Sequence, residues 1–215
     1  MTAIDPHDLS PTRAYLLQLG CILPRPIAFV STVSRDGVRN VAPFSYFTGI
    51  ASQPATLCFS IGRRQPEKDT YLNIVATGEF VVNMVTRAMA DAAVAASAEF
   101  PPEVDEFAAC GFTAVASDLV APPRVAASPI AMECRLRQVV EVDEGDHGAH
   151  LILGDIVRYQ LDDAIWRDGR IDLAALDPVG RLAGRTYCTT RDRFEIDRPP
   201  KPSPSDMGPD AAVGK

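Results

Sequence analysis

The chain has 215 residues, 47% hydrophobic and 23% charged, which is enough apolar material for one sizeable core. A net charge of −7 argues against a nucleic-acid partner, which needs a concentrated basic face. No apolar run approaches the ~20 residues of a membrane helix, Met1–Pro11 lacks a signal-peptide pattern, and five scattered cysteines (Cys21, Cys58, Cys110, Cys134, Cys188) read as free thiols of a reducing compartment, so a soluble cytoplasmic protein with no membrane partner is expected.

Ser10 and Pro11 mark the N-cap and first position of a helix over Pro11–Leu19. Pro24 and Pro26 hold Cys21–Pro26 extended. Ile27–Ser34 reads as a strand, with Ile27, Phe29, Ser31 and Val33 on one face and Ala28, Val30, Thr32 and Ser34 on the other. Both faces are largely apolar, so both should be covered. Arg35-Asp36-Gly37 turns the chain into a partner strand, Val38–Ala42, and Pro43 marks a bend or an unpaired edge. Phe44–Ile50 stays β, Thr56–Ile61 is another strand, Gly62–Glu67 is a loop, and Asp69–Thr77 is a helix stopped by Gly78. Phe80–Val85 is a strand, Arg87–Ala98 and Glu103–Cys110 read as helical, and Ala121–Ser128 reads as loop.

Ile130–Val142 alternates Met132, Cys134 and Leu136 against Glu133, Arg135 and Arg137, which predicts one buried and one wet face. A turn at Glu144-Gly145-Asp146 returns the chain as Ala149–Tyr159. Arg167-Asp168-Gly169 turns again, Leu173–Gly184 reads as irregular, and Thr186–Thr190 as a last short strand. Residues 1–198 are expected to form one domain, and Pro199–Lys215, with almost no apolar content, a disordered tail. Strands do not alternate with helices, so the expected fold is mainly β: a closed antiparallel barrel with inserted helices.

The chemistry gathers at Lys68-Asp69-Thr70, which opens a helix. Free amide N–H groups and the positive end of the helix dipole attract a phosphate there. Lys68 adds a point charge, Thr70 a hydroxyl donor, and Arg63 and Arg64 further basic charge nearby. The same tripeptide also reads as an ordinary capped helix start, and Ser31 and Thr32 as strand hydroxyls serving local backbone. His147-x-x-His150 lacks a third ligand, so no metal is expected. Gly-x-Gly-x-x-Gly, the P-loop pattern and Gly-x-Ser-x-Gly are all absent. No side chain is assigned a catalytic role.

Three stretches taken in order resemble the flavin reductase-like family of FMN-binding split barrels. They are Arg25-Pro26-Ile27-Ala28-Phe29-Val30-Ser31-Thr32, Asn40-Val41-Ala42-Pro43-Phe44-Ser45-Tyr46-Phe47, and Lys68-Asp69-Thr70 with Leu72-Asn73. Gly180-Arg181-Leu182-Ala183-Gly184-Arg185-Thr186-Tyr187 is a weaker echo. The resemblance covers roughly Leu16 to Arg193 and implies an antiparallel split β-barrel and a homodimer with one FMN per subunit at or near the interface. It implies Ser31 and Thr32 near the flavin or its ribityl chain. Ser45, Tyr46 and Phe47 would border the ring, Ser60, Ile61 and Gly62 would run along the cofactor, and Lys68, Asp69 and Thr70 would hold the phosphate. Arg181 would meet the flavin or an incoming substrate. Trp166 is the only tryptophan, so no stacked indole is implied, and Ala88–Pro129 matches nothing in the family pattern.

The implied activity is hydride transfer from NADH or NADPH to flavin, supplying reduced flavin to a partner monooxygenase or another redox protein. The alternative is a flavoredoxin-like FMN electron-transfer protein reduced by a protein partner. A third reading is a related split barrel that holds haem or does B6 chemistry.

Overall fold

The computed structural model describes residues 1–143, 145 and 147–199. Its elements are α1 (Pro11–Cys21), β1 (Ala28–Val33), β2 (Arg39–Phe44), β3 (Phe47–Ser52), β4 (Ala55–Gly62), α2 (Asp69–Thr77) and β5 (Glu79–Met84). Then come α3 (Ala90–Ala95), α4 (Glu106–Ala109), β6 (Ala114–Val115), β7 (Arg124–Val125), β8 (Ile130–Val142) and β9 (Ala149–Leu161). The chain continues with β10 (Trp166–Arg167), β11 (Arg170–Ile171), α5 (Leu173–Leu176), β12 (Val179–Arg181) and β13 (Tyr187–Thr189).

Seven strands form one antiparallel sheet in the order β2-β1-β5-β8-β9-β4-β3. β2 and β3 are its two edges, yet only Ser45 and Tyr46 separate them along the chain. Three Cα steps span at most about 11 Å, so the sheet must curl until its edges come close. The Ser60 N–H donates to the Tyr46 carbonyl at 2.9 Å. No ladder joins β2 to β3, which leaves the barrel split there. The proline-tolerant edge strand β2 carries Pro43 opposite Phe29.

The barrel interior is apolar and ring-packed. Phe59 lies 5.4 Å from Phe44 and 5.5 Å from Phe80, with Val30, Ile61 and Ile152 around them and Ile74 of α2 closing one end. Gly154 makes room for Phe80, since a Cβ there would stand 2.3 Å from Cζ. A second cluster covers the outer face of β1, where Ile27 and Phe29 meet Met89, Ala93, Phe107 and Val125. The 87–125 segment supplies that cover, so β1 is buried on both faces.

The helix at Asp69–Thr77 ends at Gly78, whose φ of +74° suits glycine. Other segments differ from the sequence-based expectation. Arg87–Ala98 shortens to a 3-10 turn at Arg87–Met89 followed by α3, and Glu103–Cys110 to α4, capped by Asp105. Leu173–Gly184 is not irregular, because it holds α5 and β12. The alternation of β8 holds, with Met132, Cys134 and Leu136 on the core side, but the opposite face is not wet throughout: Glu133 is buried beneath the 118–119 segment. Glu133 is satisfied there by the Asp118 and Leu119 N–H groups at 3.0 and 2.7 Å and by Gln160 at 2.8 Å. The turn expected at Glu144-Gly145-Asp146 and the tail expected from Pro199 fall largely outside the described residues. No helix among the described residues is long and apolar enough to cross a membrane.

Candidate functional site

The split in the barrel opens onto a cavity of about 830 Å3, a volume typical of ligand sites. The corner Pro43–Tyr46 forms one wall, Tyr15 and Leu19 of α1 another, and Ser60, Gly62, Lys68 and Leu151 complete it. A second hollow of about 540 Å3 shares Tyr15, Leu19, Pro43 and Ser45 with the first and adds Arg25, Arg181 and Arg185. A third, of about 60 Å3, shares Pro43 and Lys68 and lies among Arg64, Asp69, Thr70 and Glu106.

Lys68 is the N-cap of α2 and makes no side-chain capping bond. Helix geometry leaves the N–H groups of the first turn without intrahelical partners, and the dipole points its positive end the same way. Burial lowers the Lys68 pKa, helped by the Arg64 guanidinium, while Glu99 and Glu106 oppose the shift. Among the described residues no carboxylate forms an ion pair with Lys68, whereas Arg64 pairs with Glu99. A half-buried ammonium without a counter-ion, set at a helix N-terminus, suits a phosphate. Among the described residues the buried Tyr46 hydroxyl finds no partner, and burial raises its pKa. An orphaned phenol on the wall of a large cavity suits a polar ligand.

The second hollow is cationic. Among the described residues no acidic side chain lines it, although the chain as a whole carries −7. Arg25 is only 3% exposed. Its Nη1 donates to the Leu19 and Ile22 carbonyls, each at 2.8 Å, and Nη2 to the Leu182 carbonyl at 2.9 Å. Two of these carbonyls lie at the C-terminal end of α1, where the negative end of the dipole takes the place of a carboxylate. Arg181 stacks on Tyr187 at 4.5 Å.

The expected site residues divide accordingly. Ser45, Tyr46, Ser60, Gly62 and Lys68 meet in the large cavity, Asp69 and Thr70 border the small hollow beside it, and Arg181 lines the cationic one. Ser31, Thr32, Phe47 and Ile61 line none of the three. Ser31 lies on the outer face of β1, where its hydroxyl donates to the Pro123 carbonyl at 2.6 Å and accepts from Asn83. Thr32 accepts from Asn73 at 3.0 Å and donates to Asn40 at 3.1 Å, and Thr70 donates to the same Asn40 oxygen at 2.8 Å. These buried hydroxyls anchor the start of α2 on β1 and β2, so the Thr70 hydroxyl proton is committed to Asn40. Ile61 is barrel core and Phe47 packs against it. Sequence reasoning gave no role to Arg25, Tyr15, Leu19 or Arg185. The signal for Arg25 was a lone charge between Pro24 and Pro26, ahead of a strand covered on both faces.

Glu106 sits at the small hollow, and its carboxylate accepts from the Val41 N–H of edge strand β2 at 2.8 Å. Burial, with Asp69 adding repulsion, pushes its pKa up to about 7. The folded value lies above the unfolded one, so folding favours the protonated acid. The penalty is absent well below 4.5, grows as pH rises through the interval from 4.5 to about 7, and is complete above it. Glu106→Gln keeps the acceptor and removes the ionisation. It should stabilise the protein by about 1–2 kcal/mol near pH 8, a gain that fades as pH falls toward 4.5. Thermal melts across that range check this, and an equal gain at both ends would contradict it.

The sequence profile described as "Flavin reductase like domain" matches residues 19–172, well over half of the chain. Among solved structures, nitrilotriacetate monooxygenase component B from Bacillus cereus is 34% identical, with a TM-score of 0.88, covering 91% of this chain and 98% of that one. Pseudomonas fluorescens 2-nitrobenzoate 2-nitroreductase NbaA is 30% identical, with a TM-score of 0.85, covering 94% and 100%. A Shewanella frigidimarina protein described as having a split barrel domain is 24% identical, with a TM-score of 0.79 over 90% and 96%, a likeness of fold.

Proposed function

The chain belongs to the flavin reductase-like domain family, and we propose that residues 1–198 form one FMN-binding domain that takes a hydride from NADH or NADPH and delivers reduced flavin or electrons to an acceptor. The observation that carries this reading is the large cavity at the barrel split, with unpaired Lys68 and the start of α2 at one end and the orphaned Tyr46 hydroxyl on its wall. That donor set fits a flat ligand with a phosphate tail. Lys68 and the first-turn N–H groups of α2 would hold the phosphate, while Ser45, Tyr46 and Ser60 would meet the polar edge of the ring and the ribityl hydroxyls. Bound FMN would supply the hydride-accepting chemistry. The protein's part is binding, orientation and exclusion of water by Leu19, Phe44 and Leu151.

The second reactant is anionic in this reading. The cationic hollow opens from the same Pro43 and Ser45 wall, so Arg181 and Arg185 would attract a phosphate or carboxylate group beside the flavin cavity. The likeness to a monooxygenase component supports a monooxygenase as the acceptor. A homodimer is supported by α1, which buries only Leu19 and leaves Tyr15, Leu16 and Leu17 exposed, and by β3, exposed from Thr48 to Ser52. The acidic composition and free thiols support a cytoplasmic setting.

Purified protein should bind FMN, and its visible flavin absorbance should bleach anaerobically when NADH or NADPH is added. Bound flavin that neither nucleotide bleaches, but a redox protein does, would replace the reductase reading by the electron-transfer one. A protein that takes up no FMN would overturn both.

A further inference from the structure

The small hollow of about 60 Å3 has the start of α2 on one side and residues 96–100, which follow α3, on another. Sites that enclose a drug-sized ligand run to about 300–1,000 Å3, so this one has room for a phosphoryl group and none for a further nucleoside. It meets the large cavity at Pro43 and Lys68. A ligand that lies along the cavity with its tail at Lys68 therefore ends here. The 96–100 stretch falls where the sequence carries none of the three family-like stretches, so this closure is the chain's own.

Arg64 lines the same hollow. Its Nη1 pairs with Glu99, which ties the loop ahead of α2 to the 96–100 stretch. Its Nε is buried and finds no acceptor among the described residues. A guanidinium presents five N–H donors, so the bond to Glu99 leaves most of them unused. After burial, Arg64 is the next influence on both of its neighbours. It lowers the Lys68 pKa further, and it holds down the Asp69 pKa that burial raises. The Glu99 side chain is 78% exposed, so solvent weakens its hold on Arg64. Two cations and a helix N-terminus thus gather at one hollow, beside the Asp69 and Glu106 carboxyls. A phosphomonoester carries close to two negative charges at neutral pH, and a phosphate that continues into a diester carries only one. The first is the better match to Lys68 and Arg64 together.

We propose that Arg64 is a second phosphate-holding residue and that its clasp with Glu99 closes the hollow behind the phosphate, so that the site selects a flavin ending in a phosphomonoester over one whose phosphate continues into a second nucleotide. This rests on the FMN reading above and adds to it the reason that FAD is disfavoured.

The test is calorimetric titration of the full chain with FMN, FAD and riboflavin, for the parent, Arg64→Met and Glu99→Gln. The parent should bind FMN about tenfold or more tightly than FAD. Arg64→Met should weaken FMN about tenfold and leave riboflavin within about twofold of the parent, because only the phosphate contact is lost. Equal losses for FMN and riboflavin would make Arg64 a merely structural brace, and an unchanged FMN affinity would remove it from the site; either result overturns the proposal. Glu99→Gln changes an exposed side chain and serves as the variant that keeps the fold. It opens the clasp, so FAD should gain about fivefold while riboflavin does not move. An unchanged FAD affinity in this variant, or a parent that takes FAD as tightly as FMN, also overturns the proposal. A parent that binds none of the three would instead refute the cofactor reading, and this inference with it.

Discussion

Arg25→Met should cost about 3–5 kcal/mol of folding free energy, measured by chemical denaturation. The side chain is buried, and its guanidinium satisfies the carbonyls of Leu19, Ile22 and Leu182 at 2.8 to 2.9 Å. Methionine fills similar space but leaves those acceptors unpaired, at about 1–3 kcal/mol for the buried Leu19 carbonyl and less for the part-buried Ile22 and Leu182 carbonyls. The loss is structural and local at once. Arg25 joins the end of α1 to the β12 region, through its side chain and through the backbone pair with Arg181 at 3.0 and 2.8 Å. It also reaches Ser45 through Nε at 3.4 Å. Arg25→Lys should recover less than half of the loss, because one ammonium cannot span acceptors on two sides as a planar fork does. A Met variant within about 1 kcal/mol of the parent would show that water satisfies the carbonyls and that the fork is dispensable.

Lys68→Ala should weaken FMN binding by about 10- to 150-fold, the equivalent of losing one charge-assisted contact of about 1.5–3 kcal/mol. The ammonium is half-buried, has no ion-pair partner among the described residues, and stands where the helix dipole adds to its field. Its removal should leave thermal stability in the absence of FMN nearly unchanged, since it satisfies no buried group. Riboflavin, which lacks the phosphate, should bind the parent and the variant equally. An unchanged FMN affinity, or an equal loss for riboflavin, would take Lys68 away from the phosphate.

Much of this was legible in the sequence where the signal is local. The helix from Asp69 to Thr77 has its stop at Gly78, because a positive φ has a residue-level signature. The limits of β8 also follow from its own pattern, but its bulge does not. The extra residue of β8 is Arg137, and the one opposite Glu133 and Cys134 is Val157 of β9; neither changes the local composition, and the burial of Glu133 depends on Asp118 and Gln160, far from it in sequence or on another strand. The two faces of β1 could be read, but not which face the cavity would use. Ser31 is turned toward Pro123, a residue 92 positions away, supplied by a segment without a recognisable pattern. Arg25 is the clearest case, since its partner Leu182 lies 157 positions downstream. Likewise β12 exists through its pairing with β13 and a bridge to Arg25, so Leu173–Gly184 read alone looked irregular. Family likeness identified the corner Ser45–Tyr46 and the start of α2, which meet at one cavity. It did not distinguish hydroxyls that face that cavity from hydroxyls that brace it from behind, as Thr32 and Thr70 do through Asn40.

Crystals soaked in FMN offer the most direct test that the cavity at the barrel split is a flavin site. Difference density should show the phosphate against Lys68 and the first turn of α2, with the ring between Tyr46 and the Tyr15 and Leu19 face of α1. Density for FMN elsewhere, or a cavity holding only water at saturating ligand, would contradict the account.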